Sequence, residues 1–143
     1  MHTFHDALVS FAERRVILMT LIEQLNIRGT RLTEEGYEAE MILGEFHAQP
    51  LGLVNGGTIL AFAEITAGQA SNLLGKGSYY AVGQTINGHH LKKKKAEGNL
   101  YAVGELLHKG KRNHVWNIRI IDEKRKLISN ITVVNAIVMA EGD

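Results

Sequence analysis

The stretch Gln49-Pro50-Leu51-Gly52-Leu53-Val54-Asn55-Gly56-Gly57-Thr58, continued by an apolar run to Leu74, decides how this chain folds. In that run Ile59, Leu60, Ala61, Phe62, Ala63, Ile65, Ala67, Ala70, Leu73 and Leu74 leave almost no polar face. A helix that is apolar nearly all round belongs in a core. Asn55 supplies an N-cap, and Gly75 and Gly77 supply stop signals. The run is interrupted by Gln69, Ser71 and Asn72 and falls short of the roughly 20 apolar residues that cross a bilayer. One carboxylate, Glu64, sits in its middle. Burying an unpartnered carboxylate is costly, so Glu64 is expected to be paired, protonated or used in chemistry.

On the N-terminal side, Phe4, Leu8, Phe11, Leu18, Ile22 and Leu25 keep one stripe of an amphipathic helix over 3–25, with Thr3 and Asp6 as a capping box. Two short strands, 27–33 and 37–43, flank the turn Glu34-Glu35-Gly36. On the C-terminal side the pattern turns to strands at 79–91, 100–107, 115–121 and 127–138. Alternation along the first of these places Val82, Gln84, Ile86 and Gly88 on one face and Ala81, Gly83, Thr85 and Asn87 on the other. Short polar loops join the strands, as expected for an antiparallel meander curled around the central helix.

A chain of 143 residues suits one domain that buries roughly two thirds of its unfolded surface. Its 45% hydrophobic and 22% charged residues are those of an ordinary soluble protein, and a net charge of +1 points to neither nucleic acid nor a membrane surface. The absence of cysteine excludes disulfides, thiolate metal sites and a cysteine nucleophile. Asp6, Glu13, Arg14 and Arg15 are foreign to a signal peptide, so a cytoplasmic location is expected. His89 and His90 are adjacent on a strand and point to opposite faces, so no metal site is expected from them.

Four segments taken together carry a resemblance: residues 49–57, Ala63-Glu64, residues 82–90, and His114-Val115-Trp116-Asn117-Ile118. In their order and spacing they resemble the hotdog-fold acyl-CoA thioesterases, within them the phenylacetate-pathway and dihydroxynaphthoyl-CoA thioesterase group. The resemblance covers about 27–138. It implies an α+β fold, an antiparallel sheet around one long helix, as a single domain over 1–143 with an extra N-terminal helix in 1–26. It implies Glu64 as the base or nucleophile and a Gly56 backbone amide polarising the thioester carbonyl, with Gln49 and Asn55 beside it. Gly-Gly at a helix start exposes amides at the positive end of the helix dipole, which suits a developing oxyanion. The resemblance also implies substrate contacts from Gly57, Gly68 and His90, and from Lys92, Lys94, Lys111 and Arg112 toward the phosphates of coenzyme A. Coenzyme A enters only as part of the substrate, with no other cofactor. The family commonly has histidine where this chain has Asn55, and serine or threonine where it has Gly68.

Bland readings stand beside these. Glu64 is a structural carboxylate in one, Gly56-Gly57 a tight turn, Gln49 a surface amide, and the lysines at 92–95 a solvated loop. At the level of function a non-catalytic acyl-CoA-binding protein is an alternative. A hotdog hydratase or dehydratase is another, disfavoured by Asn55 where a titratable histidine is needed. Gly56 and Glu64 are eight residues apart, roughly 12 Å along one helix. One helix therefore cannot bring both to one carbonyl, and a homo-oligomer, a dimer or a dimer of dimers, with the site shared between copies is expected.

Overall fold

The computed structural model describes residues 19–140. Thr20 is extended and caps a single helical turn, α1 (Leu21–Gln24), through a capping box with Glu23. The helix expected over 3–25 is thus interrupted at Thr20, because the cap leaves the helical backbone there; its remainder, with Thr3 and Asp6, lies outside the described residues. Strands β1 (Ile27–Leu32) and β2 (Gly36–Ile42) follow, then a 3₁₀ turn (Glu45–His47) and the central helix α2 (Gly56–Gly75). The chain ends in β3 (Tyr79–His90), β4 (Asn99–Lys109), β5 (Asn113–Ile121) and β6 (Leu127–Met139).

The strands form one antiparallel sheet in the order β1-β2-β4-β5-β6-β3. Only β4-β5-β6 keeps the meander; β3 pairs with β6 at the edge and β4 pairs with β2. The loop between β3 and β4 carries the chain across the sheet, which local alternation cannot register.

Helix α2 lies on this sheet. Asn55 is its N-cap, as expected, but the left-handed C-cap is Lys76 (φ 48°), with Gly77 (φ 88°) turning the chain after it. Its buried face, Ile59, Phe62, Ala63, Thr66, Ala67, Ala70 and Ser71, meets Met41, Leu100, Trp116, Ile118, Ile131 and Val133. Alanines at 63, 67 and 70 let the helix backbone approach the sheet closely. Burial of each large side chain, such as Phe62 or Ile118, contributes about 1.5–3 kcal/mol. Ser71 pegs the two layers together: its hydroxyl oxygen accepts from Trp116 Nε1 (2.9 Å) and Asn135 Nδ2 (3.2 Å) and lies 2.8 Å from His114 Nδ1.

The opposite stripe of α2 is not covered by the described chain. Glu64, Ile65, Gly68 and Gln69 are half-buried, and Asn72 and Leu73 are exposed. The core placement expected for the whole helix therefore holds for one face only, and Glu64 is half-buried because the sheet covers only one side of the helix. Among the described residues no helix is long and apolar enough to cross a membrane.

Strand β3 departs from simple alternation. Its register against β6 shifts between Gly83 and Thr85, so a bulge falls at Gln84. A Cβ on Gly83 would run into Glu64, and one on Gly88 into Ile131 and Leu60. Gly83 and Gly88 thus face α2 together, although they are five residues apart. The expected faces hold before the bulge and exchange after it, because a bulge inserts one extra residue.

Candidate active site

The segment before α2 is built by its turn chemistry. Pro50 and Gly52 occupy the second and fourth places of a turn closed by Gly52 N–H donating to Gln49 C=O (2.9 Å), the positions those residues favour in a type I turn. Gln49 N–H donates to Leu53 C=O (2.8 Å), and Gln49 Oε1 accepts from the N–H groups of Leu51 and of Leu53 (3.3 Å). Backbone N–H groups only donate, so the amide must place its oxygen toward them. The Gln49 Nε2 donors then point away from the loop with no acceptor among the described residues.

At the helix start, Asn55 Oδ1 accepts from Gly57 N–H (2.9 Å) and Asn55 C=O from Thr58 N–H (3.0 Å). Asn55 is thereby committed as a cap and Gly57 N–H is spent, while Gly56 N–H has no acceptor among the described residues. Beside it stands His90, whose Nδ1 lies 2.8 Å from Ser129 Oγ. A Cβ on Gly56 would come 2.9 Å from His90 Nε2, so a side chain there would push the imidazole away. Gln49, Gly56, Ile59, His90, Lys92 and Lys93 line a depression of about 300 Å³ at this end of α2.

Glu64 lies two turns further along and opens on a different groove, of about 610 Å³, with Gly68, Gln69, Tyr37, Ile22 and Leu73. No ion pair reaches Glu64 among the described residues. A Cβ on Gly68 would meet nothing, so the helix floor between Glu64 and Gln69 is bare. At the far side Tyr37 donates to Gln69 Oε1 (3.4 Å), and burial raises the Tyr37 phenol above its ordinary range. The structure thus brings Gln49, Gly56 and His90 together and sets Glu64 and Gly68 apart from them.

The basic residues divide as well. Lys94 Nζ donates to Glu97 C=O (2.7 Å) and pairs with Glu123 (3.2 Å), whereas Lys92, Lys93 and Lys95 are exposed. The Glu123 carboxyl is held below its usual range, first by the Asn99 backbone N–H and then by its other hydrogen bonds and Lys94. Lys111 and Arg112 form the β4–β5 turn, while the 92–95 loop lies beside the β5–β6 turn through Glu123 and Ile128. The nine residues of β5 separate the two basic loops by roughly 27 Å. Among the described residues no cluster of three or more His, Cys, Asp or Glu could hold a metal ion.

Residues 51–129 match the profile described as the thioesterase superfamily, and this span covers more than half of the chain. The chain belongs to the thioesterase superfamily. The fold is that of hotdog thioesterases, and the enzyme class is thioester hydrolase. Over 113 residues the chain is 34% identical to the 1,4-dihydroxy-2-naphthoyl-CoA hydrolase of Escherichia coli, covering 79% of this chain and 82% of that one. The crystal structure of the yhdA protein of Lactococcus lactis is 55% identical, with a TM-score of 0.83 over 86% of this chain and 100% of that one. A Staphylococcus aureus thioesterase has been crystallised as a glutamine-to-alanine and as a glutamate-to-alanine mutant, 27% and 26% identical to this chain. They cover 82% and 84% of it and 98% and 99% of themselves, with TM-scores of 0.77 and 0.78. The two mutated positions are fifteen residues apart, the separation of Gln49 and Glu64 here.

Sequence reasoning missed Gly83 and Ser129. Glycine inside a strand marks a close approach of another group, so Gly83 and Gly88 carried a signal. Ser129, in a β-branched strand, carried none.

Proposed function

We propose that this enzyme hydrolyses acyl-CoA thioesters with an aromatic or medium-chain acyl group, with Glu64 as base or nucleophile and the Gly56 N–H and Gln49 Nε2 as donors to the carbonyl oxygen. One observation carries the reading: the Gln49 amide is locked with its oxygen toward Leu51 and Leu53, leaving Nε2 unspent beside the unspent Gly56 N–H. Donors fixed before the reaction, at the point where negative charge develops, are the usual largest contribution to acyl transfer. The spacing shared with the mutated glutamine and glutamate of the S. aureus thioesterase supports the pair. The name of the E. coli relative supports an aromatic acyl-CoA.

The site is shared between two copies. Gly56 and Glu64 open on separate grooves in one chain, and the uncovered stripe of α2, where Ile65 and Leu73 stand beside Glu64, Gln69 and Asn72, leaves room for a second molecule. The β3 edge has no partner on its outer side among the described strands and exposes Tyr80, Val82 and Ile86. Two β3 edges joined antiparallel about a two-fold axis would continue the sheet. That union carries the His90–Gly56 end of one copy toward the Gly83–Glu64 region of the other. It also carries Lys111 and Arg112 of one copy toward Lys92 and Lys93 of the other, where both can face the phosphates of coenzyme A.

Release of free thiol from a panel of acyl-CoAs tests the reading. Glu64→Gln should lower turnover roughly 10²–10⁴-fold while coenzyme A binding stays close to wild type. Retention of more than about a tenth of the activity would remove Glu64 from the chemistry. A wild-type protein that binds acyl-CoA and releases no thiol would be a binding protein instead.

A further inference from the structure

His47 stands outside every role described so far, yet only 1% of its surface is exposed and both ring nitrogens are engaged. Gly44 N–H donates to Nδ1 (3.1 Å), and Nε2 lies 2.7 Å from Leu25 C=O. A backbone N–H cannot accept, so Nδ1 is the acceptor; a carbonyl cannot donate, so the ring proton is on Nε2. The main chain of the same residue is engaged too, since His47 C=O accepts from Asn55 N–H (2.8 Å). One residue therefore joins the end of α1, the start of the 3₁₀ turn and the N-cap of α2. Residues 48–54, which carry Gln49, are strung between its two backbone attachments.

We propose that His47 is the positioning residue of the polarising half of the site, fixing the distance and angle between Gln49 Nε2 and Gly56 N–H. The proposal rests on the thioesterase reading above. The physical case is one of supply and demand for rigidity. Gln49 sits on a loop that is partly exposed, and loop donors drift unless something buried holds them. The turn Gln49-Pro50-Leu51-Gly52 fixes the shape of the loop but not its placement against α2. At its far end the loop is tied to residues 94–96 by Val54 N–H donating to Lys94 C=O and Ala96 N–H donating to Gly52 C=O. At the Gln49 end, placement against α2 comes from the Ala48–Val54 bridge and from the Asn55 N–H that His47 C=O accepts. The imidazole holds that carbonyl in turn, because its two hydrogen bonds set the 3₁₀ turn between Gly44 and Leu25. An apolar side chain of similar size would fill the space but leave Gly44 N–H and Leu25 C=O unpaired in a buried place, so the turn would shift to find partners.

Three variants separate positioning from mere packing. Asparagine can offer an oxygen near the place of Nδ1 and keep the Gly44 contact; glutamine can reach toward Leu25 C=O but loses the Gly44 acceptor; leucine loses both. The expected order of turnover is wild type, then His47→Asn, then His47→Gln, then His47→Leu. For His47→Leu the loss in kcat should be about ten- to a hundredfold, with KM within about twofold, because the transition state and not the ground state loses its donors. The decisive reading is the double variant. If His47 acts through Gln49, His47→Leu should cost less than about threefold in a Gln49→Ala background, whereas multiplying losses in the two single variants would overturn the proposal. Amide hydrogen exchange gives a readout that does not depend on turnover. Exchange at Asn55 and across 48–54 should quicken in His47→Leu while β4 and β5 keep wild-type protection. Uniform quickening across the sheet would mark a packing role and overturn it. Where His47→Leu fails to fold, His47→Asn and His47→Gln carry the same comparison, and equal kcat in those two would overturn it as well. A wild type without thiol release, with the local exchange pattern present, would instead sink the thioesterase reading and leave the positioning of the loop standing.

Discussion

Gly83 on β3 leaves bare the patch of strand against which the Glu64 carboxylate rests, and a methyl group at that position would overlap Glu64 Oε1. The group displaced is the far end of a flexible side chain, not backbone. Gly83→Ala should therefore swing Glu64 out of place with little change in the fold. Misplacement of a reacting group by about 1 Å costs on the order of 10²-fold. We expect kcat to fall by ten- to a hundredfold, about that scale or below it, with the thermal midpoint held within a few degrees. An alanine variant with wild-type kcat would show that Glu64 does not need this seat.

The lysines at 92–95 predict a division of labour. Lys94 is tied to Glu97 and Glu123, so Lys94→Ala should loosen the loop and leave KM for acyl-CoA nearly unchanged at first order. Lys92, Lys93 and Lys94 all line the depression beside Gly56, but only Lys92 and Lys93 are exposed and without a carboxylate partner among the described residues. Neutralising both should raise KM with little change in kcat, and the effect should shrink as salt screens the charges. A pantetheine thioester lacking the nucleotide should be indifferent to the double substitution. If the truncated substrate suffers equally, the lysines are not meeting phosphate.

The Ser71 peg predicts a pH dependence of stability. Ser71 Oγ accepts from Trp116 and Asn135, which leaves its own proton for His114 Nδ1, so the imidazole is neutral with its proton on Nε2. His114 is 1% exposed, and burial, then the charge of Lys109 and then His108, lowers its pKa. For a depressed histidine the unfolded chain binds more protons than the folded one, so stability rises with pH. The contribution is complete above the ordinary histidine value of about 6.5 and is lost as pH falls from there toward the folded pKa. Thermal midpoints should decline between about pH 7 and pH 5.5, and His114→Asn should flatten that decline. A variant with the wild-type slope would place the titration elsewhere.

Much of this was legible in the residues before any coordinates. The central helix, its Asn55 cap and the strand positions follow from periodicity and turn chemistry, which are local. Strand order was not legible, because β2–β4 and β3–β6 pairing depends on contacts distant in sequence. Glu64 and Gly56 were readable as candidates; the Gly83 seat and the Ser129 contact to His90 were not, since a single unpaired residue at Gln84 exchanges the faces of β3. The partner of Lys94 was not legible either, because Glu123 is 29 residues away in sequence.

The proposal of a site shared between two copies makes the sharpest prediction. Roughly 12 Å of helix separates Gly56 from Glu64, while a carbonyl must lie within about 3–3.5 Å of its attacking group and within hydrogen-bond reach of its donors. Glu64→Ala should be inactive or nearly so, and Gln49→Ala should fall far below wild type while keeping a measurable residue of turnover. Unfolded together and refolded, they should form mixed dimers in which one site carries both defects and the other carries neither. With random assortment half of the dimers are mixed and each has one intact site of two, so about a quarter of wild-type activity should return. Mass spectrometry of the refolded mixture checks that exchange has occurred. A mixture that exchanges and stays inactive would place Glu64 and Gln49 in the same chain's site, and the two-fold arrangement through β3 would be wrong.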